Sequence, residues 1–177
     1  RVIYKPHPRI TTSSNPAIAG AHARIREILE EQIAAGGQHL ITEKENILAL
    51  FNDVDGLITD VSSVGLDYLY LHPEKPLILT DRRDDLEKLN REVPVSRACP
   101  VISETTREEI LPGLESLLES SGAEQRLQMR SYYFGDRERG SSTISFIEAI
   151  GKLINDRAVA MRGYEFHGQP VDSGEVG

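Results

Sequence analysis

The residues in this chain that could act on a ligand fall into four short groups. "KPHP" places Lys5 and His7 beside Pro6 and Pro8, which restrict the backbone on both sides of the imidazole. A cation and a switchable donor held in this way suit contact with an anion. "TDVSS" gathers Asp60, Ser62 and Ser63 ahead of a helix that includes Gly65. Two hydroxyls and the free amide N–H groups of a helix start can hold a phosphate without net positive charge. Gly65 lets a ligand or a neighbouring backbone approach closely. "TDRRDD" carries Asp81, Arg82 and Arg83, and "GDRERGSST" sets Arg137 and Arg139 near Gly140, Ser141, Ser142 and Thr143. Each group also has a plainer reading: a rigid loop for His7, a solvated loop for Arg82 and Arg83, and ordinary N-caps for the Asp and Ser residues.

Periodicity assigns these groups to the ends of strands and the starts of helices. Residues 1–4 read as a short apolar strand with "KPHP" as the loop behind it, and a strand at residue 1 without an initiator Met gives the expectation of a longer parent protein. Ile25, Ile28, Leu29 and Ile33 form a helical stripe that stops at Gly36-Gly37, a C-cap signal. Strands are expected at 39–42, 55–60 and 75–80, with an edge strand at 100–103. Short helices are expected from "ENILALF", from "SSVGLDYLYLH" with Val64, Tyr68 and Leu71 on one face, and over 84–90. Beyond Thr106 the pattern is helical. Pro112-Gly113 kinks or splits one segment, 123–134 form a second, and a long third carries Ile144, Ile147, Ile150 and Ile154 as its core stripe.

Strands alternating with helices, the strands continuously apolar, predict an α/β fold: a doubly wound, Rossmann-like parallel sheet covered on both faces. One domain is expected over 1–160 and a flexible tail over 161–177. In such sheets ligands bind beyond the carboxyl ends of the strands, which is where three of the four groups fall.

Composition narrows the classes. A chain of 177 residues can bury about 70% of its unfolded surface, enough for a proper core. The net charge of −8 and the absence of a Lys/Arg-rich run exclude a nucleic-acid surface as the expected partner. The single cysteine, Cys99, rules out an internal disulfide framework and reads as a small buried apolar residue. The five histidines are scattered without metal-ligand spacing, so no metal site is expected. Dinucleotide and P-loop fingerprints and a GxSxG elbow are all missing. No apolar run approaches the roughly 18 residues of a membrane span.

The order "KPHP", "DGLITDVSSVGLDYLYL", "KPLILTD" and finally "GDRERGSS" before a last helix resembles the C-terminal domain of the CDP-glycerol glycerophosphotransferases, the teichoic-acid primases and polymerases. The resemblance spans about Val2 to Ile154. It implies the nucleotide-binding half of a GT-B glycosyltransferase-like fold, with an N-terminal partner domain outside this chain. It also implies a CDP-glycerol or related CDP-polyol donor, a lipid-linked polyol-phosphate acceptor reached through the missing half, and release of CMP. No cofactor is implied. The parent enzyme would be cytoplasmic and peripheral on the inner face of the bacterial membrane, and this chain alone would be inactive. By position, His7 would face the donor diphosphate as the catalytic charge stabiliser or proton donor, with Lys5 beside it. Ser62 and Ser63 would bind phosphate, Asp60 would order their turn, Asp67 would contact the glycerol-phosphate end or hold structure, and Ser141 and Ser142 would stand at a second helix start. Two departures bear on the donor: Val61 replaces the family's aromatic, and an "R-G-F/Y" segment is missing after Asp81. A nucleotide-sugar glycosyltransferase, a UDP-sugar 2-epimerase-like domain and a non-catalytic α/β interaction domain are the competing expectations.

Overall fold

The computed structural model describes residues 1–43, 45–119, 122–136, 138 and 140–162. The described chain divides into two compact units, one of Arg1–Tyr133 and one beginning at Phe134.

In the first unit the alternation of strand and helix is present. Strand β1 (Ile3–Tyr4) leads through the His7 loop to a single helical turn, α1 (Pro8–Thr11), and then to the long helix α2 (Pro16–Ala34). Asn15 caps α2 by accepting from the Ala17 N–H, and Pro16 supplies the fixed φ of a first helical position. Gly36 ends it at φ +97°, a left-handed conformation that strains any side chain. A Cβ on the next residue, Gly37, would lie 2.7 Å from the Gln32 carbonyl oxygen. Strand β2 (Leu40–Ile41) pairs parallel with β1, and α3 (Ile47–Leu50) passes into a 3₁₀ turn, Phe51–Asp53.

The second half of the unit holds β3 (Leu57–Asp60), α4 (Ser63–Leu71), β4 (Leu77–Thr80), α5 (Leu86–Glu92), the 3₁₀ turn Pro94–Ala98 and β5 (Val101–Ile102). These strands form a parallel sheet in the order β3-β4-β5, with Asp60 opposite Thr80 and Thr80 opposite Ile102. Pro112 splits the next helical segment as expected, into α6 (Arg107–Ile110), a 3₁₀ turn and α7 (Leu114–Glu119). Helix α8 (Ala123–Phe134) follows. The core comprises Phe51, Tyr68, Leu69, Leu77, Leu79, Leu89, Val95 and Val101, with Phe51 set edge-on to Tyr68 at 5.0 Å between ring centroids.

Three expectations are corrected. Among the described residues the strands form two separate parallel sheets, not one continuous sheet: β1 pairs with β2, and β3 is an edge of the other sheet. The apolar run of β3 is also not buried on both faces. Its residues alternate, and Ile58 is 45% exposed. Among the described residues no strand pairs with its outer edge, and β3 is a half-buried strand despite its composition. Finally, Leu29 is the buried member of the α2 stripe, while Ile25, Ile28 and Ile33 are exposed.

In the second unit, α9 (Ser142–Arg162) is the long terminal helix. Its expected core stripe is exposed instead, with Ile144, Ile147 and Ile154 each more than 60% accessible. Met161 and Arg162, placed in a tail by the sequence reading, are helical; residues 163–177 lie outside the described residues. Among the described residues, no helix is long and apolar enough to cross a membrane.

Candidate functional site at the carboxyl ends of the strands

The parallel register of β3, β4 and β5 carries three loops to one edge of their sheet: 60–63, 81–85 and 103–106. The start of α4 lies there. Ser62 is extended, at φ −146° and ψ 171°, and its hydroxyl makes no capping hydrogen bond. The contrast with neighbouring helices is direct. His7, Asn15, Asn46 and Asp85 each accept an N–H of the helix they precede. Ser62, Ser63 and Asp67 are exposed, and the first N–H groups of α4 have no side-chain cap from Ser62. Asp60 accepts from the Thr59 hydroxyl at 3.4 Å, a weak contact that does not reach the Ser62 turn.

Gly65 is buried. A Cβ there would meet Thr59 Cγ2 at 3.4 Å and Leu79 Cδ2 at 3.7 Å, so its small size serves the packing of α4 on the sheet. A cavity of about 190 Å³ lies beside it, lined by Val61, Ser62, Leu66, Leu79, Val93, Val95 and Tyr133.

The charged loop after β4 is partly neutralised. Arg83 holds Asp81 at 2.9 Å and Glu92 at 3.6 Å. Arg82 is exposed and makes no hydrogen bond or ion pair among the described residues. Asp84 stands at φ +53°, left-handed, and accepts from the Thr105 N–H at 3.1 Å and the Thr105 hydroxyl at 2.8 Å. Hydrogen bonds from Ser103 and Thr105 hold its carboxyl below the ordinary carboxylate range.

At the carboxyl end of β1, Pro6 is buried and His7 exposed. The Arg9 N–H donates to His7 Nδ1 at 3.1 Å, so the neutral ring carries its proton on Nε2. Lys5 Nζ donates to the Glu43 carbonyl at 3.0 Å, tying this loop to the end of β2. No hydrogen bond or ion pair joins the Lys5–His7 loop to the Ser62–Ser63 turn among the described residues. In the second unit the Ser141 hydroxyl donates to the Glu138 carbonyl at 2.8 Å, Ser142 is exposed at the first position of α9, and Gly140 is left-handed at φ +86°. Arg137 and Arg139 lie outside the described residues.

The other described histidines also use Nδ1: His22 with the Tyr4 hydroxyl, His39 with the Val2 N–H, and His72 with Glu74. His167 lies outside the described residues. No cluster of His, Cys, Asp and Glu suited to a metal ion occurs among the described residues. Burial pushes the Cys99 thiol up to about 12, which keeps it protonated and unreactive.

Sequence reasoning missed the fastening of α4. Arg126 is buried and donates from Nε to the Pro73 carbonyl and from Nη2 to the Glu74 carbonyl, and Arg130 donates to the Tyr70 carbonyl. These cations sit at the carbonyl-rich end of α4. The Val95 N–H donates to the Tyr133 hydroxyl. Arg126, Arg130 and Tyr133 follow at helical spacing along α8, so a polar stripe shared with Met129 was the available signal.

No family model, no curated protein and no solved structure matches this chain.

Proposed function

We propose that this chain is the donor-binding domain of a glycerophosphotransferase-like enzyme that uses CDP-glycerol or a related CDP-polyol in the synthesis of a teichoic-acid-like polymer. The observation that carries the reading is the start of α4. Ser62 is extended and its hydroxyl is left out of the cap, at the carboxyl edge of a parallel sheet. A phosphate placed there would accept from the Ser62 and Ser63 hydroxyls and the first α4 N–H groups, with Arg82 supplying a cation from the loop that follows β4 at the same sheet edge. His7, whose Nδ1 is already occupied, would offer Nε2–H to the donor diphosphate. In the reaction an acceptor hydroxyl attacks the phosphorus that bears glycerol, the bond from that phosphorus to the bridging oxygen breaks, and CMP leaves with the bridging electrons. The attacking hydroxyl loses its proton to a base on the partner domain. Such transfers rest on positioning and on neutralising the departing charge.

Titration calorimetry with CDP-glycerol, CDP, UDP and UDP-GlcNAc tests this reading. Cytidine nucleotides are expected to bind in preference to uridine ones. His7→Ala and Ser62→Ala are each expected to weaken binding by at least about tenfold, the effect of one hydrogen bond to a charged group. A uridine preference would move the assignment to a nucleotide-sugar transferase or epimerase. No binding by the folded protein would leave the interaction-domain reading, which the capping role of His7 on α1 favours.

A further inference from the structure

Helix α9 carries a wide apolar face. Phe146 and Leu153 stand seven residues apart, as do Ile147, Ile154 and Met161 in turn, the spacing with which helices pair. These five side chains are each 57–65% exposed, and Ile150, set between the two rows, is 39% exposed. With Ile144 the face offers seven large apolar side chains. At about 100 Å² apiece they make roughly 600–700 Å² of apolar surface, where a stable interface takes at least about 600 Å² from each partner.

Gly151 is the independent sign of a partner. A glycine inside a helix weakens it. A Cβ at Gly151 would meet nothing within 4 Å outside its own helix backbone, so packing within the described chain does not call for one. Ile144, Gly151 and Ala158 form one border of the face, and Phe146, Leu153 and Ala160 the other. Both borders run from bulky to small along the helix, so the face complements itself when reversed. Arg157 is the charged residue within it. Parallel pairing would set two guanidinium groups at one level, whereas reversal separates them by about 14 Å along the axis. Lys152, Arg157 and Arg162 against Glu148 and Asp156 leave α9 with one net positive charge, not the basic surplus that draws an amphipathic helix to anionic lipid.

We propose that α9 pairs antiparallel with α9 of a second copy of this chain, about a two-fold axis beside Gly151 and Leu153. The two glycines let the helices approach closely at that axis. Phe146 then packs over the partner's Ala160, Ile144 over the partner's Ala158, and Ile150 against the partner's Ile154. Each copy contributes the same patch, as in closed two-fold dimers. This pairing does not rest on the nucleotide reading above, and either can fail without the other.

Sedimentation equilibrium of the full chain from low to high micromolar concentration tests the pairing, and a reversible monomer–dimer equilibrium is expected. Ile147→Glu and Ile154→Glu fall on exposed positions, so both variants are expected to keep the wild-type circular dichroism while weakening association at least about tenfold. Gly151→Leu has open space in a single copy and is expected to weaken association as strongly, because it blocks the close approach. Direction is read with a short bismaleimide: Phe146→Cys is expected to cross-link to Ala160→Cys in a mixture and neither variant to itself. A chain that stays monomeric at every concentration overturns the proposal, as does a monomer that sediments with phosphatidylglycerol vesicles. A dimer unchanged by both Glu variants, or Phe146→Cys cross-linked to itself, overturns it equally.

Discussion

At the scale of single residues, hydrogen bonds decide which candidates stay available. His7 and Ser62 are both polar residues ahead of a helix; the plain alternative in the sequence is a rigid loop for His7 and an ordinary cap for Ser62. The structure separates them. His7 caps through Nδ1, while Ser62 does not cap at all. That difference was not legible in the sequence, because capping depends on a side-chain rotamer and not on residue type. Asp84 shows the same limit: the pattern starts a helix there, whereas α5 begins at Leu86 behind the Asp85 cap, and Asp84 is left-handed and holds Thr105. A carboxyl held below its ordinary value near 3.8 contributes stability above that value and loses it as pH falls through the depressed folded one. Thermal melts of the wild type and Asp84→Asn, whose side chain also tolerates the left-handed region, are expected to differ at pH 7. The gap should close once the pH has fallen through the depressed folded value; a gap that persists in stronger acid would show that the carboxylate charge is not what matters.

At the scale of elements, helices were read better than strands. The 123–134 helix has the limits that its pattern predicted, and Pro112 divides its segment as expected. Strand positions were found, but β1, β2 and β5 are only two residues each, since apolar runs mark where a strand lies and not how far its ladder extends. The fastening of α4 belongs to this scale. Removing Arg126 leaves the Pro73 and Glu74 carbonyls without their buried donor and opens a hole beneath α4. Arg126→Ala is expected to lower unfolding stability by about 2–4 kcal/mol in chemical denaturation. A loss within about 0.5 kcal/mol, typical of surface substitutions, would mean that α8 does not secure the helix carrying the candidate site. Lys75 does a related job at the sheet's opposite edge, donating to the Phe51, Asn52 and Val54 carbonyls.

At the scale of the whole molecule, the α/β class was legible from alternation, while the single doubly wound sheet was not. Periodicity shows which residues are apolar but not which are covered: Ile25, Ile28 and Ile33 of α2 and Ile144, Ile147 and Ile154 of α9 are exposed among the described residues. Gathering candidate groups at strand ends was legible for the same reason that the class was: parallel pairing directs every loop after a strand to one edge.

The split into two sheets gives the molecule an uneven resistance to opening. Among the described strands β4 is paired on both sides, and its flanking amides are held by Leu79 N–H to the Pro100 carbonyl and Asp81 N–H to the Ile102 carbonyl. The β1–β2 ladder rests on Leu40 N–H to Val2 and Thr42 N–H to Tyr4. Native-state deuterium exchange is therefore expected to be slowest at Leu79 and Asp81 and at least about tenfold faster at Leu40 and Thr42, with equal rates indicating one cooperative unit. The Ser62 turn would then belong to a late-opening foldon and the His7 loop to an early-opening one. Any ligand that touches both would be measured in the exchange clock as protection gained by Leu40 and Thr42.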